Sequence, residues 1–230
     1  MATAQKELLP FGIIALMFLL AAYCGTLLKT DGDVNVAVLW GIDGKADAWA
    51  NREVGLFGWP ILALIIYVAL TVIPKLDVYS KNIEGFAMQY WGFRVVLVFV
   101  MCVMYAATLI SNLGYWERFD IMIVVVPSIA LLFFYVGYML NYTKRNYFIG
   151  VRTPWTLASE KVWEKTNRLA GSLFWICAAL TIISLVAPSD IRLWVIVVPA
   201  ILVAIVASAY SYLEYRKTKK AQSRKGRKKR

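Results

Sequence analysis

The sequence has no histidine and only three cysteines in 230 residues. Without histidine there is no Ser-His nucleophilic pair, no histidine metal triad and no His-Glu-x-x-His helix. Cys24, Cys102 and Cys177 stand singly in separate apolar runs. A zinc site wants close pairs such as Cys-x-x-Cys, and a disulfide-stapled module wants more cysteines. The three read instead as small buried hydrophobic residues. Charge is scarce too: 17% of residues carry it, against about 25% in ordinary soluble domains. No aspartate or glutamate falls in the middle of an apolar run, which removes the usual mark of a proton relay or ion path. An enzyme or ion-coupled pump is not expected, and no cofactor or metal is implied.

What is abundant is apolar surface, at 60% of residues. Six uncharged runs stand out: Leu8–Leu28, Gly55–Pro74, Val95–Leu113, Ile121–Leu140, Leu169–Val186 and Leu193–Leu213. Each is close to the roughly 20 residues a helix needs to cross the hydrocarbon layer. The expectation is an all-α integral membrane protein with six transmembrane helices, a multi-pass protein of the cell membrane. Residues 1–215 form its membrane domain, with an outer segment at 31–54 and a motif loop at 142–168. The first run is too long for a signal-peptide core and no small-x-small cleavage site follows it, so it reads as a span.

The net charge of +11 is misleading. Residues 216–230 hold ten basic residues and no acidic ones, leaving fifteen basic against fourteen acidic elsewhere. This is a nearly neutral membrane domain with a flexible basic cytoplasmic tail. Such a tail suits anionic lipid headgroups, and direct nucleic-acid binding is not expected. Orientation follows from the connections. Those after the second and fourth runs carry nine Lys and Arg, against five after the first, third and fifth. Both termini are therefore expected in the cytoplasm. The second, fourth and sixth runs also share a proline followed by an apolar stretch, at Pro60, Pro127 and Pro199. Either three related hairpins or coincidence among apolar residues accounts for that.

Two segments are more than plain span. In the outer segment, Val34, Val36, Val38 and Trp40 alternate with Asn35, Ala37 and Leu39, the period of a strand. Asp43-Gly44 follows as a turn signal, giving a short β-like cap. It either offers a strand edge and aromatics to an outer ligand or is an ordered connection resting on the bilayer. In the inner segment, Gly150 permits a sharp bend and Pro154 pushes Thr153 out of helical geometry. Thr153 or Thr156 can then cap a helix. Trp155, Ala158, Val162 and Leu169 lie near one face, with Glu160, Lys161, Glu164, Lys165 and Arg168 on the rest. That describes a cytoplasmic amphipathic helix before the fifth span, or an elbow fixing the fourth and fifth spans.

The run from Arg145 to Gly171, with its core Gly150-Val151-Arg152-Thr153-Pro154-Trp155-Thr156-Leu157, then Glu160, Trp163, Asn167 and Arg168, closely resembles the signature of the SdpI family of bacterial multi-pass immunity proteins. The outer stretch Val38–Asp47 resembles a module common in that family. Many relatives carry histidine where this chain has Leu39 and Asn167. The resemblance implies a bacterial inner-membrane protein that protects its cell from a secreted peptide toxin. It also implies a possible second role, recruiting a cytosolic transcriptional repressor in signal transduction. Trp40, Asp43, Gly44 and Asp47 are the expected outer, toxin-facing residues. Gly150, Arg152, Thr153, Pro154, Trp155, Trp163, Asn167 and Arg168 are the expected structural or signalling residues of the inner face. The alternative is a membrane transporter or an accessory subunit of a membrane assembly.

Overall fold

A computed structural model describes residues 2–28, 35–41, 45–114 and 120–227. The chain runs α1 (Ala2–Leu27), β1 (Asn35–Trp40), β2 (Ala46–Asn51), α2 (Arg52–Val72), α3 (Ser80–Glu84), α4 (Ala87–Asn112), α5 (Met122–Leu140), α6 (Pro154–Ala158), α7 (Glu160–Ile183) and α8 (Ser189–Arg227). Six of these helices, α1, α2, α4, α5, α7 and α8, are long and apolar enough to cross a membrane. In hydrocarbon every backbone N–H and C=O must find its partner within the segment, and an unbroken helix achieves this. The chain is a multi-pass membrane protein.

The spans form two sets. α1, α2 and α4 close around Met17, Ala21, Tyr67, Val98 and Tyr105. α5, α7 and α8 close around Leu140, Ala170, Cys177, Val203 and Ala207. Lipid tails are as apolar as these side chains, so close backbone approach and hydrogen bonds must drive the packing. Gly137 and Gly171 show the approach: a Cβ on either would stand 2.7 Å from the other's carbonyl oxygen. Trp175 Nε1 adds a bond from α7 to the Phe134 carbonyl on α5, at 3.2 Å. In the first set the Tyr105 hydroxyl donates to the Leu56 carbonyl at 2.6 Å. Among the described residues, α4 against α5 is the helix pair that joins the two sets, and α2 does not pack on α8.

Two boundaries differ from the sequence reading. The helix of the third span begins at Ala87, eight residues before the uncharged run, and so carries Arg94 inside it. Arg94 counts among the loop charges on sequence grounds, yet it is 7% exposed. At the other end, α8 continues as helix to Arg227 instead of giving way to a flexible tail. Its 39 residues make about 58 Å of helix at ~1.5 Å per residue, roughly twice the ~30 Å hydrocarbon layer.

The outer segment is a hairpin, with β1 antiparallel to β2 and Asn35 opposite Asn51. The register slips around Val38, so the expected alternation fails there. Val36 and Ala37 are both buried, not alternate residues. Gly55 is what admits Val36, because a Cβ on Gly55 would collide with that side chain. β2 passes directly into α2, whose first turn is capped by Asn51 Oδ1 accepting from the Val54 N–H at 3.0 Å.

Candidate functional site

The inner segment folds as a knot of buried side-chain amides and hydroxyls. Asn146, fully buried, is its first hub. Its Oδ1 accepts from the Phe148 and Ile149 N–H groups at 2.8 and 2.6 Å, and its Nδ2 donates to the Lys144 and Ile149 carbonyls. Gly150 follows at φ +115°, where a Cβ would stand 2.6 Å from Asn167 Oδ1 and 3.0 Å from the Trp163 ring. Only glycine meets both demands. Asn167 accepts from the Val151 N–H at 2.8 Å and donates to the Trp163 carbonyl at 3.0 Å, tying the bend to α7. Trp163, itself buried, donates Nε1 to the Thr143 carbonyl at 2.9 Å.

Thr153 and Thr156 form a reciprocal capping box around α6, with Pro154 at its first turn. That placement satisfies helix-start donors and uses a residue that has none. Thr153 Oγ1 also meets Ser211 Oγ of α8 at 2.9 Å, and the Trp155 ring lies 5.1 Å from that of Tyr212. Ser159 is extended and separates α6 from α7. The amphipathic segment is thus the start of α7 itself, with Val162, Trp163, Thr166 and Asn167 buried and Glu160, Lys161, Glu164, Lys165 and Arg168 exposed. Trp155 belongs to the separate α6. Lys165 pairs with Glu214 of α8, and Arg168 pairs with Glu164 at 2.9 Å on the open face. Arg152 is exposed, and its Nη1 donates to the Tyr147 carbonyl at 2.5 Å.

The same knot grips the first set of spans. Asp77 accepts from the Tyr147 N–H at 2.8 Å, and Asn82 donates to the Arg145 carbonyl at 2.7 Å. Tyr79 stacks on Tyr147 and carries the Arg145 guanidinium over its ring. Beneath the loop lies a cleft of about 570 Å³ walled by α2, α4, α5, α7 and α8 and roofed by Phe148–Thr153.

Beside the cleft is a charged cluster. Arg94 Nη2 holds Glu7 Oε1 at 2.9 Å, and its Nη1 donates to Thr71 Oγ1 at 2.5 Å. Tyr67 bonds the other oxygen of Glu7, and the guanidinium lies over the Tyr67 and Tyr90 rings. The uncharged-run criterion misses this cluster, because both charges lie just outside the runs.

At the opposite end, Asn112 of α4 holds the hairpin by two bonds to one residue. Its Oδ1 accepts from the Ala37 N–H at 2.8 Å, and its Nδ2 donates to the Ala37 carbonyl at 3.0 Å. Trp40 packs on Ala107, Ile121, Met122 and Val126. β1 is thereby fastened to the bundle, whereas Asp47, Trp49 and Asn51 of β2 are exposed.

Residues 143–211 match the SdpI/YfhL protein family. That segment of the chain is SdpI-like. Over 213 residues it is 22% identical to the immunity protein SdpI of Bacillus subtilis (strain 168), covering 93% of this chain and 97% of that one. No solved structure matches it. The matched window opens at Thr143, whose carbonyl accepts from the Trp163 indole, and closes at Ser211, which meets Thr153. The matched segment thus packs on itself as well as on its neighbours in the bundle.

Within that segment Gly150, Thr153, Trp155, Trp163 and Asn167 are brought together, whereas Arg152, Pro154 and Arg168 are exposed. Of the outer residues, Trp40 is half-buried against α4 and α5, and Asp47 is exposed. Asp43 and Gly44 lie outside the described residues. Sequence reasoning missed Asn146, Asp77, Asn112, Ser211, Glu7 and Arg94.

Proposed function

We propose that this SdpI-like protein is a membrane immunity protein that protects its cell against a secreted peptide toxin, capturing it at the hairpin. The observation that carries the reading is the hairpin's asymmetry. β1 is locked to the spans through Asn112 and Trp40, while β2 presents Asp47 and a Trp49 that is 59% exposed. A fixed strand with an open edge is a platform on which an extended or membrane-active peptide can pair, with an aromatic anchor and a carboxylate beside it. Capture of this kind competes with insertion of the toxin into lipid and requires no catalysis. The near full-length likeness to a protein named as an immunity protein supports the same reading. Each span is one unbroken helix, whereas transporter sites commonly form at broken ones; that favours binding over transport.

A second reading has its own observation. Glu160, Lys161, Glu164 and Arg168 make an exposed charged face at the start of α7, beside the α8 extension. We assign to this face a signalling contact with a cytosolic repressor. The deciding experiment is expression in sensitive cells exposed to a panel of secreted peptides, with survival and peptide uptake measured together. Protection without uptake is expected; uptake without protection would make the protein a transporter.

A further inference from the structure

The cleft beneath the motif loop is apolar along its walls and cationic at its rim. Leu70, Phe93, Val136, Phe174 and Val203 line it, and Arg152 stands at the roof, exposed. We infer that it holds one hydrocarbon chain of an anionic phospholipid, with the lipid phosphate on Arg152. This does not rest on the immunity reading.

Access comes first. α2 contributes Leu70 to the cleft, with Ile73 and Pro74 of the turn that follows it, and α8 contributes Ala200, Val203 and Ala204. These two helices face each other across it without packing together, so the cleft has a lateral side between two membrane spans. The molecules that surround such a side are lipids. The volume of about 570 Å³ falls within the ~300–1,000 Å³ of ligand sites.

The lining selects the occupant. It contains no acidic side chain; the hydroxyls of Thr153 and Tyr90 are already used, by Ser211 and the α6 cap and by the Leu70 carbonyl, and Ser208 adds one more hydroxyl to the lining. A peptide backbone laid in such walls would lose its hydrogen bonds to water and gain few in return. A hydrocarbon chain has no such demand. At the rim, Arg152 cannot lose its charge, and its planar fork matches phosphate oxygens. Its Nη1 rests on the Tyr147 carbonyl, and it makes no ion pair with an acidic residue among the described residues. The cation is therefore positioned without being neutralised.

The test is native mass spectrometry of the full chain in mild detergent, titrated with phosphatidylglycerol or with phosphatidylcholine of the same chains. One retained phosphatidylglycerol is expected, preferred over phosphatidylcholine by roughly fivefold, as for one basic residue at a lipid surface. Arg152→Gln should abolish that preference while a chain is still retained. Ala204→Trp should displace the lipid; Ala204 is exposed on α8, so the indole fills the cleft without disturbing a packed core. Ala200→Phe is a second filling variant, and Arg168→Gln, outside the cleft, should keep the wild-type preference. Gel filtration and thermal unfolding establish that each variant is folded. Undiminished lipid retention in both folded filling variants, or an unchanged preference in Arg152→Gln, overturns the proposal. So does a wild-type protein that retains no lipid, or one in which a peptide occupies the cleft.

Discussion

Arg94 on α4 and Glu7 on α1 meet at 2.9 Å, with Thr71 and Tyr67 of α2 completing the cluster. One guanidinium thus pins three spans together near one end of the first set. An ionised residue inside a membrane bundle is costly unless paired, and here the pairing partner comes from a different helix.

Removing one side of that pair should therefore loosen the bundle. Arg94→Met is expected to lower stability by about 2 kcal/mol, the order of a lost charge-assisted bond, with Glu7 partly solvated. Glu7→Gln should cost less, since an amide still accepts from the fork. The check is thermal unfolding in detergent for each variant and the double variant. Strictly additive losses would show that the two residues are not coupled.

Gly150 offers a sharper test of the motif loop. Gly150→Ala places a Cβ in a positive-φ site 2.6 Å from Asn167 Oδ1, so strain of about 1–3 kcal/mol adds to a steric clash. Accumulation in the membrane should fall, and the melting temperature of purified protein with it. Asn167→Asp keeps the acceptor for Val151 but loses the donor to Trp163, and should be milder. A Gly150→Ala protein as stable as wild type would contradict the described loop.

The fold was legible where hydrophobicity alone decides structure. Six apolar runs became six spanning helices, because hydrophobicity over a run is a local property of the sequence, and the strand expected around Val36–Trp40 is there, although its alternation is broken by the register slip. The site was less legible because its groups act across the chain. Asn146, Asp77 and Asn112 satisfy backbone donors that only the folded loops expose, and no spacing rule announces them. Arg94 counts as a loop cation on sequence grounds because its helix starts before the apolar run does. Trp40, expected on sequence grounds to face an outer ligand, is half-buried against α4 and α5, a placement that only the packing of the hairpin on the spans decides.

For the hairpin, Trp49→Ala and Asp47→Ala should reduce toxin protection while the protein accumulates normally, since both side chains are exposed. Asn112→Ala should lower both, because it releases β1 from α4. Survival, toxin binding and membrane abundance measured side by side distinguish the two effects. Full protection by well-expressed Trp49→Ala and Asp47→Ala would remove the hairpin from the toxin contact.

Orientation is open to direct measurement. Cys24 and Cys177 are buried and Cys102 is half-buried; with all three replaced by serine or alanine, single cysteines report access. Reporters at Lys45 and Arg118 should be labelled from outside the cell, and reporters at Lys81 and Lys144 should not. The distribution of Lys and Arg motivates this. Labelling of Lys144 from outside would invert the molecule.

For the tail, truncation after Lys217 should leave the bundle folded and weaken binding to anionic vesicles, at about 1 kcal/mol for each basic residue near the surface. Unchanged vesicle binding would mean that the helical extension points away from the bilayer.

The seam between α4 and α5 also bears on how the protein is made. Every helix of the first set precedes every helix of the second in the chain. The N-terminal trio can finish assembling in the membrane while the ribosome is still translating its C-terminal counterpart. A gene cut between Gly114 and Asp120 should therefore yield two polypeptides that insert independently and reunite when co-expressed, with Asp77 and Asn82 gripping the loop that arrives later.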